Sequence, residues 1–288
     1  MSARILKTLA TGLKTMLPGV GGRPVIVFEG DSPFHHIIIR DEGPHRTMYF
    51  IGPEGEEEAE TAIHLEDPGR AVFEYPGLML TALALAPSRR ILLLGLGGGY
   101  LPGLFARFLP ELELTVVEVD PLVVELAGTY FGFTPGPNVR LVLADGRGFL
   151  AGQEPDAFDQ IWLDAFTGDY VPAALSGLAF LELCRDRLTP GGLLAQNLHR
   201  SRPSAFHDQL KTTEAAFGHF LALEGHRCGN AVILARRPGQ QDGQTAWRPA
   251  ELLAAVKKIG PRLGPYDLTA EIRKARTFQV DPEAQVIP

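Results

Sequence analysis

The sequence predicts an α/β protein: a doubly wound, mostly parallel sheet, with a small antiparallel β unit before it and a short helical extension after it. Short apolar runs alternate with helical segments between residues 75 and 239, as in a parallel sheet covered by helices on both faces. A glycine-rich turn directly follows the first of these runs. The predicted units are an amphipathic helix at 1–20, the β domain at 21–74, the sheet domain at 75–239 and the extension at 240–288.

Composition and charge restrict the class of protein. A chain of 288 residues that is 45% hydrophobic can bury one large core and one small core. Acidic residues outnumber basic residues 34 to 27, so the basic surface typical of nucleic-acid binders is missing. We expect a small cationic substrate and no nucleic acid. No apolar run approaches the ~20 residues of a membrane span, so we expect no membrane insertion.

Cysteine and histidine spacing indicates neither a disulfide framework nor a metal site. Cys184 and Cys228 are far apart and form no C-x-x-C pair, which is typical of buried thiols in a reducing compartment. The eight histidines form no H-E-x-x-H or comparable spacing. We therefore expect a cytoplasmic protein without a structural or catalytic metal.

The first 17 residues carry apolar side chains at helical spacing, at Ile5, Leu9, Leu13 and Met16, and their charges are all basic. A basic amphipathic helix can contact a membrane surface or a partner, but we expect this one to pack on its own protein. Thr, Lys and Gly interrupt any continuous apolar run of ~7–15 residues, so no secretory signal is expected.

Three β-like runs, PVIVFE, HHIIIR and RTMYFIG, then predict a small antiparallel unit. The acidic cluster at 52–60, GPEGEEEAE, is predicted to be a solvated loop. Residues 75–86 are predicted to form a helix that leads into the first strand of the main sheet.

The stretch at 90–120, RILLLGLGGGYLPGLFARFLPELELTVVEVD, predicts a strand, a glycine turn, a helix and a second strand. The apolar run at 91–94 is typical of a strand buried on both faces. A turn rich in glycine lets a ligand approach its backbone N–H groups. The second strand ends at Glu118 and Asp120, and an acid at this place can accept hydrogen bonds from ribose hydroxyls.

The α/β alternation continues to residue 235. Strands are predicted at 139–143, 158–163, 193–196 and 230–235, and helices at 121–130, 175–188 and 204–217. Pro190, Gly191 and Gly192 are predicted to break the chain between a helix and a strand. In the extension, helices are predicted at 249–259 and 268–276. This region is a candidate for the interface of a homodimer.

Polar features follow five successive predicted strands: the glycine turn, Glu118, Asp145, Asp164 and Asn197. Ligands of a doubly wound sheet bind at the carboxyl ends of its strands, so these features predict a binding site. Acids in such loops also cap helices, and a purely capping role remains open for Asp145.

Glycine spacing separates two kinds of nucleotide site. A dinucleotide site with G-x-G-x-x-G would need a glycine at 100, where this chain has Tyr100. Gly95, Gly97 and Gly99 instead give G-x-G-x-G, with Gly98 between the last two. This order resembles the first motif of class I S-adenosylmethionine-dependent enzymes.

From about residue 25 to 235 the chain resembles the spermidine synthase (polyamine aminopropyltransferase) family. The resemblance is carried by LLLGLGGGYLPGLFAR, TVVEVDPLVVELAGTYF, NVRLVLADGRGFL, FDQIWLDAF and LTPGGLLAQN. It implies a Rossmann-like catalytic domain in which Glu118 binds the donor's ribose, Asp145 the adenine amino group, and Asp164 acts in catalysis. The cofactor-binding residues it implies are Gly95, Gly97, Gly98, Gly99, Glu118, Asp120, Asp145 and Gly146.

Two departures from the family's motifs concern the acceptor. The family's G-G-G-D-G loop has an aspartate facing the substrate amines, where this chain has Tyr100. The family's D-S-x-D-P is replaced by D-A-F-T-G-D, so Asp169 follows Asp164 two residues late, with Tyr170 next to it. We expect Asp164 to be the catalytic base, assisted by Asp169 and Tyr170. Tyr100, Asn197 and His199 are the predicted acceptor-side residues.

The resemblance implies transfer of an aminopropyl group from decarboxylated S-adenosylmethionine to a polyamine-type amine, with methylthioadenosine as the leaving group. Two alternatives stay open on the sequence alone. One is an S-adenosylmethionine-dependent methyltransferase of unknown acceptor. The other is an inert nucleoside-binding scaffold.

Overall fold

A computed structural model of the chain describes residues 23–165, 172–227, 229–239, 249–263 and 267–279. The predicted N-terminal helix lies outside these residues. The described chain begins with a four-stranded antiparallel sheet in the order β1-β2-β3-β4, which contains the three predicted β-like runs and a fourth strand. Its strands are β1 (Val25–Asp31), β2 (His36–Glu42), β3 (His45–Ile51) and β4 (Glu57–His64).

Strand β4 corrects the prediction of a solvated acidic loop at 52–60. Its first residue, Glu57, pairs with Ile51 of β3. The Glu57 carboxylate accepts two hydrogen bonds from the Arg40 guanidinium, at 3.1 and 2.7 Å. A run of acids disfavours a strand unless a cation offsets it, and Arg40 of β2, on the far side of β3, provides one. The charge run alone could not reveal this partner.

The main sheet has eight strands in the order β12-β10-β11-β9-β8-β5-β6-β7. Strands β5 to β9 pair in parallel, and only β11 and β12 run in the opposite direction among the described strands. This confirms the predicted mostly parallel, doubly wound fold. The strands are β5 (Arg90–Leu94), β6 (Glu113–Glu118), β7 (Val139–Leu143), β8 (Phe158–Leu163), β9 (Leu188–His199), β10 (Phe220–Glu224), β11 (Asn230–Arg236) and β12 (Arg276–Gln279).

Helices cover both faces of this sheet. They are α1 (Tyr75–Leu80), α2 (Ala82–Leu85), α3 (Tyr100–Phe108), α4 (Pro121–Phe131), α5 (Gly146–Ala151), α6 (Leu178–Arg187), α7 (Pro203–Phe217), α8 (Pro249–Ile259) and α9 (Leu268–Lys274). Alternate residues of β5 separate two cores: Ile91 and Leu93 face one, and Leu92 and Leu94 face the other. The small sheet and α1 to α4 share the first core, and α5 to α7 share the second. Burial on both faces explains why β5 is entirely apolar after Arg90.

Several element boundaries differ from those predicted. Strand β9 begins at Leu188 and runs through Pro190 and two glycines, because Gly191 donates to the Arg237 carbonyl and Gly192 accepts from the Arg237 N–H. The predicted helix at 175–188 is a short 3-10 turn followed by α6. Strand β10 was absent from the sequence-based prediction, and the predicted helix at 75–86 is divided into α1 and α2.

The C-terminal extension contains both predicted helices, but it is more than an appended cap. Leu252 and Val256 of α8 and Leu268 of α9 are buried in the first core. After α9, strand β12 pairs with β10 and extends the main sheet. Within the described residues, no helix combines the length and apolar character needed to cross a membrane.

Candidate active site

The site lies where the order of the main sheet reverses. Strands β5 and β8 are neighbours, but β5 leads into α3 on one face and β8 leads towards α6 on the other. Gly95 follows β5 and Asp164 follows β8, and the Asp164 N–H donates to the Leu94 carbonyl at 2.9 Å. A crevice opens at such a position, where α/β sheets bind their ligands.

Gly95 is required by the closeness of these two strand ends. Its φ is +101°, and a Cβ atom there would overlap the carbonyl oxygen of Asp164. Any side chain would therefore push β5 and β8 apart at the crevice. The absence of a side chain at Gly95 therefore lets the backbone of Asp164, the candidate catalytic residue, pack directly against the backbone of the glycine turn.

Gly98 and Gly99 are buried, whereas Gly95 and Gly97 keep partial exposure. A Cβ on Gly98 would lie 2.7 Å from Cγ2 of Thr61, a residue of β4. A Cβ on Gly99 would overlap the ring of Phe133. These two glycines therefore let other parts of the chain pack onto the turn, while the partly exposed glycines remain candidates for ligand contact.

Glu118 ends β6 and binds the glycine turn. Its Oε2 accepts from the Leu96 N–H at 3.0 Å, and its Oε1 accepts from the N–H groups of Val119 and Asp120 at 2.8 and 2.9 Å. Burial raises the pKa of Glu118, and these backbone hydrogen bonds oppose that rise. An ionised carboxylate has about four acceptor sites, so about one remains for a ligand hydroxyl.

Asp120 has a different role from the one predicted. Its side chain is fully buried, and its Oδ1 caps α4 by accepting from the Leu122 N–H at 2.9 Å. Its Oδ2 accepts from the Ser32 hydroxyl at 2.5 Å and lies 3.2 Å from Nδ1 of His35. Burial lowers the pKa of His35, and Asp120 opposes that shift. A carboxylate with these partners joins the small sheet to β6 and cannot reach a ligand.

Asp145 is an exposed N-cap at the end of β7. Its Oδ2 accepts from the Gly148 N–H at 2.6 Å, and Gly146 is the first residue of α5. The cap leaves Oδ1 for the predicted contact with an adenine amino group. Two exposed apolar side chains lie at the ends of the paired strands β6 and β7: Leu143 is the last residue of β7 and is 57% exposed, and Val119 directly follows β6 and is 37% exposed. The exposure of these two residues could not be predicted, because a side chain at the end of a strand follows no periodic pattern.

Asp164 keeps some solvent access, but the protein packed around its carboxyl group raises its pKa to about 6. Hydrogen bonds from Asn197 and Tyr75 oppose this rise. The Asn197 Nδ2 donates to Oδ1 of Asp164 at 2.8 Å, and Asn197 itself accepts from Nδ2 of Asn230 at 3.0 Å. A poorly hydrated, oriented carboxylate of raised pKa can accept a proton.

Asn197 orients Asp164 and does not face the crevice, since only 2% of it is exposed. This corrects its prediction as a substrate-binding residue. Tyr75 and Asn230, which complete the hydrogen-bonded group, were not predicted as site residues. They come from the start of α1 and the start of β11, and only the tertiary fold brings them to β8.

The remaining acceptor-side candidates lie at the same rim. Tyr100 begins α3, and its hydroxyl donates to the Gly69 carbonyl at 3.0 Å. His199 ends β9, and a Cβ on Gly229 would overlap its ring. Asp169 and Tyr170 lie outside the described residues, so their catalytic roles stay predictions.

A buried acid immediately precedes Tyr75. Glu74 is 3% exposed and forms an ion pair with His226. It also accepts from the Arg227 N–H at 2.7 Å and lies 3.5 Å from Nε of Arg227. His226 and Arg227 belong to the connection between β10 and β11, so Glu74 fixes this connection beside α1.

Among the residues that the structure describes, no group of three or more His, Cys, Asp or Glu side chains could hold a metal ion. Cys184 is buried, which raises the pKa of its thiol, and Cys228 lies outside the described residues.

No protein-family model matches the chain, but individual relatives do. The chain is 31% identical over 239 residues to the polyamine aminopropyltransferase of Vibrio vulnificus, an alignment that covers 82% of this chain and 80% of that enzyme. This chain belongs to the polyamine aminopropyltransferase family. The members of that family are transferases, so the chain is a transferase too. A probable polyamine aminopropyl transferase of Bifidobacterium longum is 25% identical over 253 residues, covering 84% of this chain and 54% of that protein.

Solved structures agree with this aminopropyltransferase fold. A spermidine synthase in complex with the transition-state analogue AdoDATO superposes with a TM-score of 0.65 at 19% identity, covering 86% of this chain and 84% of that one. Human methyltransferase-like protein 13 in complex with SAH gives 0.58 at 24% identity, covering 69% and 99%. The chain therefore has the fold that spermidine synthases share with methyltransferases.

Proposed function

We propose that this aminopropyltransferase moves an aminopropyl group from decarboxylated S-adenosylmethionine to the nitrogen of a small amine, releasing methylthioadenosine. The names of its relatives make a polyamine the first acceptor to test. In this reaction the amine attacks the carbon next to the sulfonium, the carbon–sulfur bond breaks, and a proton leaves the nitrogen.

The donor would occupy the rim between β5 and β7. The partly exposed glycines leave the backbone accessible, and Glu118 keeps about one acceptor site for a ribose hydroxyl. Val119 and Leu143 present apolar surface at the ends of the neighbouring strands β6 and β7, which suits a flat adenine ring, and Asp145 adds an acceptor for its amino group. These residues fit the nucleoside part of an S-adenosylmethionine-type donor.

The observation that carries the proposal is the environment of Asp164. An amine is mostly protonated at neutral pH, so the reaction needs a group that holds the cation and accepts its proton. A carboxylate with its pKa raised to about 6 remains largely ionised at neutral pH and is a stronger base than an ordinary aspartate. Asn197 and Tyr75 hold it in one orientation next to Gly95.

Thermal unfolding with three nucleosides tests the donor assignment. A ligand that binds the native state raises the melting temperature by mass action. We expect methylthioadenosine and decarboxylated S-adenosylmethionine to raise it more than S-adenosylmethionine, because the polar side chains described on the donor side, Glu118 and Asp145, are acids that disfavour a carboxylate on the donor. Failure of all three to bind would overturn the proposed donor.

A methyltransferase is the second candidate, because of a specific similarity. The human eEF1A lysine and N-terminal methyltransferase is 31% identical over 141 residues, although these cover 45% of this chain and only 20% of that protein. A methyltransferase would use intact S-adenosylmethionine and release S-adenosylhomocysteine. Stronger stabilisation by S-adenosylhomocysteine than by methylthioadenosine would favour this candidate over the aminopropyltransferase.

A further inference from the structure

The connection between β10 and β11 places two basic residues at the rim that holds Asp164. Strand β11 is antiparallel to β9, and its first residue, Asn230, pairs with His199 at the carboxyl end of β9. The Arg200 N–H donates to the Gly229 carbonyl at 2.8 Å, so the connection also follows the end of β9. His226 and Arg227 therefore lie on the acceptor side of the crevice.

Glu74 links Arg227 to the residue that holds the proposed base. Its carboxylate binds both the N–H and the Nε of Arg227, and the next residue, Tyr75, hydrogen-bonds to Asp164. The Arg227 side chain is 60% exposed. A guanidinium has five N–H donors, so its contact with Glu74 through Nε leaves donors that can bind an anion.

The acids described at this rim are mostly engaged by the protein itself. Glu118 binds backbone N–H groups, Asp120 binds Ser32 and His35, Asp145 caps α5, and Glu74 binds His226 and Arg227. Of these rim acids and Asp164, Asp164 is the one placed to hold an ammonium group of the acceptor. A diamine carries two such groups, and its second ammonium would meet the charge of Arg227.

We propose that the preferred acceptor is an amine that also carries a carboxylate, with the amine at Asp164 and the carboxylate at Arg227. This inference rests on the proposed aminopropyl transfer and names the acceptor class. A carboxylate gains a charge-assisted, bidentate contact with a guanidinium, whereas an ammonium at the same place is repelled. The chemistry selects an ω-amino acid over a diamine of similar length.

Three acceptors of similar length test this inference: δ-aminovalerate, putrescine and pentylamine. Each is offered with decarboxylated S-adenosylmethionine, and methylthioadenosine release gives kcat/KM. We expect δ-aminovalerate to exceed putrescine by about tenfold or more, with pentylamine between them, because one charge-assisted hydrogen bond contributes that much. Arg227→Ala should abolish the difference, and Arg227→Lys should keep part of it.

Arg89→Ala is the matched control, since Arg89 precedes β5 at the opposite end of the sheet and pairs with Glu113. It should keep the wild-type preference. If putrescine is the better acceptor, or if Arg227→Ala leaves the ratio unchanged, the inference is overturned while aminopropyl transfer stands.

If no acceptor releases methylthioadenosine, the proposed transfer itself fails. Calorimetry on the methylthioadenosine-bound protein then still decides the acceptor class, because it needs no turnover. Tighter binding of δ-aminovalerate than of putrescine supports an acidic acceptor, and equal or weaker binding overturns it.

Discussion

At the scale of single residues, the raised pKa of Asp164 has a measurable consequence for stability. Its carboxyl group holds a proton up to about pH 6 in the native state but only to about 3.9 in the unfolded chain. The stability contributed by the protonated form is therefore fully present below about pH 4 and is lost as the pH rises through about 6.

Asparagine at 164 cannot lose a proton, so it should not show this loss. We expect the stability of Asp164→Asn relative to wild type to rise by roughly 2 kcal/mol between about pH 4.5 and 7.5. Urea unfolding of both proteins at several pH values measures it. A stability difference that does not change with pH would mean that Asp164 has an ordinary pKa.

Glu118 offers a second residue-scale prediction. Glu118→Gln removes the charge that holds the glycine turn and, by our proposal, one ribose hydroxyl. Binding of methylthioadenosine should weaken by about 1.5–3 kcal/mol, the range for hydrogen bonds to a charged group. Calorimetry measures this change, and Glu113→Gln at the exposed start of β6 is the matched control. Equal affinity in both variants would remove Glu118 from the donor site.

At the scale of elements, the packing of β4 on the glycine turn can be tested by paired substitutions. Gly98 does not have a positive φ, so Gly98→Ala acts through its contact with Thr61. We expect it to cost about 1–3 kcal/mol of unfolding free energy, as overpacked sites do. Thr61→Ala in the same chain should recover part of that loss. Strictly additive losses would show that Thr61 is not the neighbour that matters.

Most elements of the main sheet could be predicted because their patterns are local. The apolar runs of β7 and β8 have the predicted bounds, and Gly95 marks the turn that the crevice needs. Strand β4 could not be predicted, because its acids are tolerated through Arg40, a residue that is distant in sequence. Strand β12 is a short polar segment that forms a strand only because β10 offers an open edge.

In the candidate active site, too, local sequence patterns could be predicted but contacts between distant residues could not. The positions of Asp164 and Glu118 at the ends of β8 and β6 could be predicted, because an acid after a strand of a parallel sheet lies at the rim where such sheets bind ligands. The contacts that hold them could not, since hydrogen bonds between distant residues leave no pattern in one sequence: Tyr75 binds Asp164, Asn230 binds its partner Asn197, and Leu96 binds Glu118. Asp120 resembled a ligand-binding acid for the same positional reason, yet Ser32 and His35 from the small sheet bury it.

At the scale of the whole molecule, the C-terminal extension shares the main core. Leu252 of α8 is 1% exposed in the same core as α1 and α2. We expect Leu252→Ala to lower the unfolding free energy by about 2–5 kcal/mol, the range for a large-to-small core substitution. Calorimetry should show one cooperative transition in both proteins. A separate early transition would instead identify the extension as an independent unit.

Spermidine synthases and methyltransferases share one fold, so the fold does not decide which reaction the chain catalyses. The residues of the site decide it. In this site we propose that Asp164 is the base of an aminopropyl transfer. The test is methylthioadenosine release from decarboxylated S-adenosylmethionine and an amine, measured for wild type and for Asp164→Asn. We expect the variant to remain folded and to bind methylthioadenosine, while turnover falls on the order of 10²–10⁴-fold. A lower melting temperature with near-normal turnover would contradict the claim and leave Asp164 a structural residue.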